Sequence, residues 1–155
     1  MRITLTIEGA SEAANLLEAT ASRLEQPPAP LLEALAAALT TAFQNHIRHH
    51  TGPEGPWPPL HPVTQKIRAF YGHPPDDALV RSGDLLQSLT TLRQEDAAVE
   101  VGTITPFART LQDGGTVTDP KTGRTRTVQA FPFVYVTADE VQTFADLLKE
   151  HYFGA

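Results

Sequence analysis

Histidine is the residue type that comes closest to chemistry in this sequence. The chain carries six, and three of them, His46, His49 and His50, close a long helical segment. His61 and His73 fall in the loops that follow. His46 and His50 lie four residues apart, so they share one helical face and could hold a zinc or nickel ion. A metal centre needs three or four converging ligands, and local geometry places only two. No His-Glu-x-x-His run supplies a general base, and no carboxylate stands at a diagnostic spacing. The competing reading is that residues near a helix C-terminus interact with its dipole and sit in water. That structural role is the expected one. A small metal-dependent hydrolase using His46, His50 and His61 or His73 is the alternative.

Ser82-Gly83-Asp84 sets a hydroxyl beside a carboxylate, but without a Gly-x-Ser-x-Gly elbow or a general base. Ser82 or Asp84 is instead expected to cap a helix over Leu85–Leu89. Asp113-Gly114-Gly115 reads as a turn needing positive φ, because its acidic neighbour argues against an anion nest. Lys121, Arg124 and Arg126 make a small basic hairpin tip, either a solvated loop or a contact for an acidic surface or phosphates. Trp57, Phe70 and Tyr71 could stack on a ring, but anchoring a core or an interface is the expected role. Nothing assembles a nucleophile, a base and an oxyanion site. No catalytic, cofactor-binding or metal-binding residue is assigned, and the chain is expected not to be an enzyme.

The elements that must position these side chains follow from periodicity. Arg2-Ile3-Thr4-Leu5-Thr6-Ile7-Glu8 alternates apolar and polar residues, as a strand does. Ser11 can cap a helix to about Leu24, striped by Leu16, Leu17, Ala21 and Leu24. A second, longer helix carries Leu32, Leu35, Ala36, Leu39, Ala42, Phe43 and Ile47 at helical spacing, with Gly52 as its stop. Next comes the ledge Gly55-Pro56-Trp57-Pro58-Pro59-Leu60, whose prolines fix φ and hold the only tryptophan on a stiff, non-helical shelf. Val63 to Arg68 reads as a short polar helix.

Leu89–Gln94 and Ala98–Thr103 read as strands joined at Glu95-Asp96-Ala97. Pro106 to Gln112 is a short helix closed by Gly114-Gly115. Thr116–Thr118 and Thr125–Val128 flank Asp119-Pro120-Lys121-Thr122-Gly123, a strong turn signal. Such an isolated, threonine-rich ribbon is marginal in water, so it is expected either to be mobile in the free monomer or to be ordered by a neighbour. Phe131–Val136 is an apolar extended segment. Thr137-Ala138-Asp139-Glu140 has capping-box spacing and opens a last helix with Val141, Phe144, Leu147, Leu148 and Tyr152. The class is α+β, with an N-terminal strand and helices, a small antiparallel sheet with a projecting hairpin, and a C-terminal helix packed on the sheet. One domain spans 1–155: strand and helices over 1–50, ledge and short helix over 51–78, sheet, hairpin and last helix over 79–155.

Length and charge narrow the function. A chain of 155 residues supports one modest core. With no cysteine there is no disulfide framework and no thiolate site. There is no apolar run near the roughly 20 residues of a membrane span and no signal-peptide pattern, so a cytoplasmic origin is expected. The formal net charge of −6 lacks the basic face that phosphate binding needs. It is compatible with a ring through which DNA slides without sticking.

The order of the ledge, then Thr64-Gln65-Lys66, then Leu79-Val80-Arg81-Ser82-Gly83-Asp84-Leu85-Leu86-Gln87-Ser88 resembles the virion-morphogenesis, or tail-completion, proteins of tailed bacteriophages. Val101-Gly102-Thr103, Phe107-Ala108, Gln112-x-Gly114-Gly115 and Pro132-Phe133 continue that order, so the resemblance covers roughly residues 40 to 150. Two positions depart from the family pattern. Leu111 stands where relatives often have histidine, and Phe131 where they often have arginine. The resemblance implies a structural role in head–tail joining or tail completion within the virion, after synthesis in the host cytoplasm. It further implies a cyclic oligomer of identical subunits, a hexamer in the form such proteins often take. Connector or tail-tube proteins would be neighbours, DNA only passing cargo, and there would be no cofactor and no membrane. The expected interface residues are Trp57, Pro58, Leu60, Thr116, Val117, Lys121, Arg124, Arg126, Phe131, Pro132 and Phe133.

Overall fold

The structure, a computed structural model, describes residues 28–95 and 98–154, together with the helical positions Asn15, Glu18, Ala19, Ala21 and Ser22. The expected strand Arg2–Glu8 lies outside the described residues. So does most of the helix expected from Ser11 to Leu24, of which the five described positions are helical. Helix α1 spans Ala29–His49 and begins after Pro28 with Pro30 in its first turn, where the missing N–H has no partner to lose. Its buried face carries Leu31, Leu32, Ala36, Ala42, Phe43, His46 and Ile47. It ends three residues before Gly52, because His50 itself takes the left-handed conformation at φ 54 and its N–H turns back to the last carbonyls.

Beyond α1, strands β1 (Thr51–Gly52) and β2 (Gly55–Pro56) make a tight antiparallel hairpin, with Thr51 opposite Pro56. The Trp57 N–H then donates to His50 O at 2.7 Å, so the ledge starts bonded to the end of α1. Gly52 packs closely here: a Cβ would sit 3.1 Å from the indole of Trp57 and press it aside. Helix α2 (Pro62–Phe70) is capped by His61, whose Nδ1 accepts from Val63 N. Helix α3 spans Asp84–Ser88. Neither Ser82 nor Asp84 caps it, contrary to the sequence reading: Gly83 is the N-cap, left-handed at φ 82, and the Ser82 hydroxyl instead bonds Asp84 at 2.6 Å. Asp84 falls inside the first turn, where its charge suits the helix dipole.

Strands β3 (Thr90–Glu95) and β4 (Ala98–Gly102) pair antiparallel, with a register shift between Thr91 and Arg93. Helix α4 spans Ala108–Asp113. The ribbon of β5 (Gly115–Thr118) and β6 (Thr125–Val128) pairs in register around the expected turn. Asp119 accepts from the N–H groups of Lys121 and Thr122, and these bonds hold its carboxyl below the ordinary range. Helix α5 (Ala138–Phe153) opens on the full capping box between Thr137 and Glu140 and closes at left-handed Gly154.

The class is α+β. Among the described residues the strands form three separate two-stranded ribbons, because each hairpin pairs only with itself. Helix α1 lies on β3 and β4, and α5 lies on α1, so the last helix finds its main partner in the long helix and not in a sheet. One cluster joins Ala42, Phe43 and Ile47 of α1 to Trp57, Ala78, Leu85, Leu89, Ala108, Phe131 and Phe133.

Gly114 marks the tightest backbone approach. A Cβ there would lie 2.9 Å from Ala130 N, and φ 70 with ψ −167 is a region only glycine occupies freely. Gly114→Ala is expected to lower stability by about 1–3 kcal/mol, read as an earlier urea midpoint. Gly123→Ala, at an open hairpin tip, serves as the comparison and should lose less.

Candidate functional site

The histidines do not converge. His46 is buried, with its two ring nitrogens turned to different partners: Nδ1 lies 3.0 Å from Phe133 O and Nε2 2.9 Å from Glu140 Oε1. Its ring stacks on Tyr135 at 3.9 Å between centroids. His50 leaves the helical face through its left-handed backbone and meets Asp77 at 2.8 Å. His61 caps α2. Among the described residues no three His, Cys, Asp or Glu side chains are grouped so as to hold a metal ion. Both His46 and His50 therefore act as crosslinks between segments distant in sequence.

Both oxygens of Glu140 are engaged. Oε1 faces His46, and Oε2 accepts from the Thr137 N–H at 2.7 Å and its hydroxyl at 2.9 Å. Partial burial disfavours the charge, but the Thr137 bonds and the His46 ring outweigh it, so the Glu140 carboxyl titrates below the ordinary glutamate value of 4.5. The same pair joins α1 to the first turn of α5.

The ledge and the extended segment meet, and they meet inside the chain. Trp57 is 9% exposed, Phe131 5% and Phe133 1%. The indole N–H donates to Pro132 O at 3.0 Å, and its ring meets Phe131 edge-on at 5.6 Å. As docking residues these three need correction: their apolar area is already removed from water by their own chain, so they anchor the core. Gln112 fastens the same segment. Its Oε1 accepts from the N–H groups of Phe133 and Val134 at 2.9 and 3.0 Å, and its Nε2 donates to Val134 O at 3.3 Å. The remaining expected interface residues stay at the surface. Pro58, Thr116, Lys121, Arg124 and Arg126 are exposed, and Leu60, Val117 and Pro132 are half-buried.

An exposed apolar stripe lies where the sequence reading saw only a polar helix. Helix α2 is packed by its polar side. Arg68 donates to Pro74 O at 2.9 Å, Asp77 O at 2.7 Å and Val80 O at 3.4 Å, while Gln65 donates to Asp76 at 2.7 Å. These bonds pin the 74–80 loop. Val63, Ile67 and Phe70, at i, i+4 and i+7, consequently face outward, and Phe70 is 83% exposed with Tyr71 packed edge-on beside it. The stripe runs into a groove of about 1110 Å³ between α2, α4 and the β5–β6 ribbon. Leu60, Phe107, Leu111, Val117 and Phe131 line it, with Arg126 on the ribbon side. Contiguous exposed apolar side chains rimmed by polar residues are the kind of surface that serves as a contact. The signal was present in the spacing of Val63, Ile67 and Phe70; what the sequence lacked was which face Arg68 would turn inward.

The model of the phage virion morphogenesis family matches residues 8–152, so the chain belongs to that family. Membership makes it a phage protein of virion assembly. No curated protein and no solved structure matches it significantly. No helix among the described residues is long and apolar enough to cross a membrane.

Because the Glu140 carboxyl is depressed in the folded state, its contribution to stability is complete above the free value of 4.5 and fades as the pH falls below it. Glu140→Gln is expected to flatten that acid limb while lowering stability at neutral pH, checked by urea unfolding across pH 3–7. An acid limb as steep as the parent's would remove Glu140 from the account. His46→Ala, which strips one charged hydrogen bond from Glu140 and the partner of Phe133 O, should lower stability by about 1.5–3 kcal/mol at neutral pH.

Proposed function

We propose that this chain is a non-catalytic structural protein of the virion that acts in head–tail joining or tail completion by docking subunit against subunit. The observation that carries this reading is family membership across residues 8–152. The arrangement of the molecule supports it. The titratable side chains in the interior serve as crosslinks, and the open apolar surface beside α2 is shaped as a contact and not as an enclosed pocket. The net charge of −6 is compatible with a wall past which DNA moves as cargo, since like charge keeps the duplex from adhering.

The partners of this reading are identical subunits in a cyclic oligomer, with six copies as the stoichiometry to test, and the connector or tail-tube proteins on either side. Leu60, Val117, Arg126 and the largely buried Phe131 are the sequence-derived interface residues that fall on the groove. Lys121 and Arg124, exposed at the ribbon tip, are placed to meet an acidic neighbour. A ribbon that packs mainly on itself gains order on such contact.

Electron microscopy of particles from phage lacking this gene is expected to show unjoined heads and tails. Normal virions would sink the reading. Light scattering on the purified protein, alone and with the connector, gives the subunit number.

A further inference from the structure

We infer that the groove beside α2 receives the outer face of α5 from a second copy of this chain, in a head-to-tail contact. The inference rests on the assembly reading above and specifies its interface.

The groove and its surroundings have an unusual charge pattern for this chain. No Asp or Glu lines the groove, although the chain contains 18 acidic residues. The side chains that bring positive charge are Arg126 on the ribbon wall and Lys66, one helical turn before Phe70 on α2. A two-fold contact would set this surface, with Arg126 and Lys66, against an identical one with no carboxylate in its groove, and like charges across an interface are unfavourable. The surface that fits is a different one, acidic with an apolar anchor.

The outer side of α5 is such a surface. Asp139, Asp146, Glu150 and Phe153 fall at i, i+7, i+11 and i+14, one stripe along the helix, and all four are exposed. Phe153 is 70% exposed at the end of that stripe. Lys149 meets Asp146 at 3.4 Å, but both side chains are mostly exposed and the attraction of such a surface pair is weak. No α5 residue lines the groove of its own copy. Seating Phe153 among Phe107, Val117 and Leu60 of the next copy would bury an aromatic anchor, with the α5 carboxylates set against Arg126 and Lys66. Two different patches meeting in this way leave one of each free at every step, so the contact repeats and closes to a ring when its rotation allows.

The cysteine-free chain makes the test direct. Thr64→Cys in the groove and Glu150→Cys on α5 are both exposed substitutions. They are purified separately, one with a mass tag, then mixed under mild oxidation at a concentration where light scattering shows the parent protein assembling. The expected result is a mixed disulfide, with each variant alone crosslinking about tenfold less. Self-crosslinking of Thr64→Cys alone as strongly as the mixture would overturn the head-to-tail contact. Assembly without any mixed crosslink would overturn this contact and leave the structural role standing. A chain monomeric at every concentration would also overturn it, and the morphology of gene-deleted particles then judges the structural role separately. Reversing charge with Asp146→Lys and Glu150→Lys together should weaken assembly about tenfold; unchanged assembly counts against the contact.

Discussion

The fold depends on how one buried segment satisfies its backbone. Residues 131–134 set Phe131 and Phe133 in the core but belong to no strand, so no ladder supplies their hydrogen bonds. A buried N–H or C=O left unpaired costs about as much as a lost hydrogen bond. Six of the groups are met one by one. Phe131 N–H donates to Leu111 O, the Trp57 indole N–H to Pro132 O, and Phe133 N–H to Gln112. The His46 ring takes Phe133 O, and Gln112 takes both the N–H and the C=O of Val134. Pro132 has no N–H to satisfy, which removes one demand at the crowded centre. Three side chains from distant parts of the sequence therefore have to arrive at one place, and the path of the chain between them is constrained by that requirement.

Seen from this segment, the motifs that carry the family resemblance have a shared purpose. The ledge delivers Trp57, the Gln-x-Gly-Gly turn delivers Gln112, and Pro132-Phe133 is the target of both. Ser88 and Thr103, from two further motif segments, bond each other at 2.7 Å and tie α3 to the end of β4. Short motifs that look unspecific one by one become specific as a set, because each supplies one contact in a common network. This network is structural: its hydrogen bonds end on backbone and on one another, and none points into an open cleft.

Local physics made part of this legible before any coordinates. The heptad-like stripe of α1, the Thr137–Glu140 box and the Asp119–Gly123 turn are decided within a few residues, and the structure has all three. The histidines were harder to read because their partners lie far away in sequence, 87 residues off for His46 and Phe133. A four-residue spacing shows that two rings share a face; it cannot show that one ring turns into the core while the other leaves through a left-handed backbone. Helix α2 exposes the same limit in another form. Its amphipathic pattern was readable, but the usual rule that the apolar side faces inward failed. Arg68 holds three loop carbonyls and claims the inner side for itself.

The two positions that the resemblance singled out, at 111 and 131, meet in the fold. Leu111 and Phe131 are distant in sequence, yet the Phe131 N–H donates to Leu111 O at 2.7 Å, so the residues are direct neighbours across α4 and the extended segment. Phe131 is buried against the edge of Trp57, and Leu111 packs on the same cluster. A lone arginine or histidine in that setting would bring a polar group into apolar surroundings and would need a partner there. Replacing a polar residue on one side with an apolar one makes a polar residue on the other side more costly, so both positions being apolar is the consistent solution. The apolar pair also reaches the wall of the groove, since Leu111 and Phe131 both line it. With Leu111 and Phe131 side by side, this wall of the groove is apolar, and it is built by the same contact that closes the core beside Trp57.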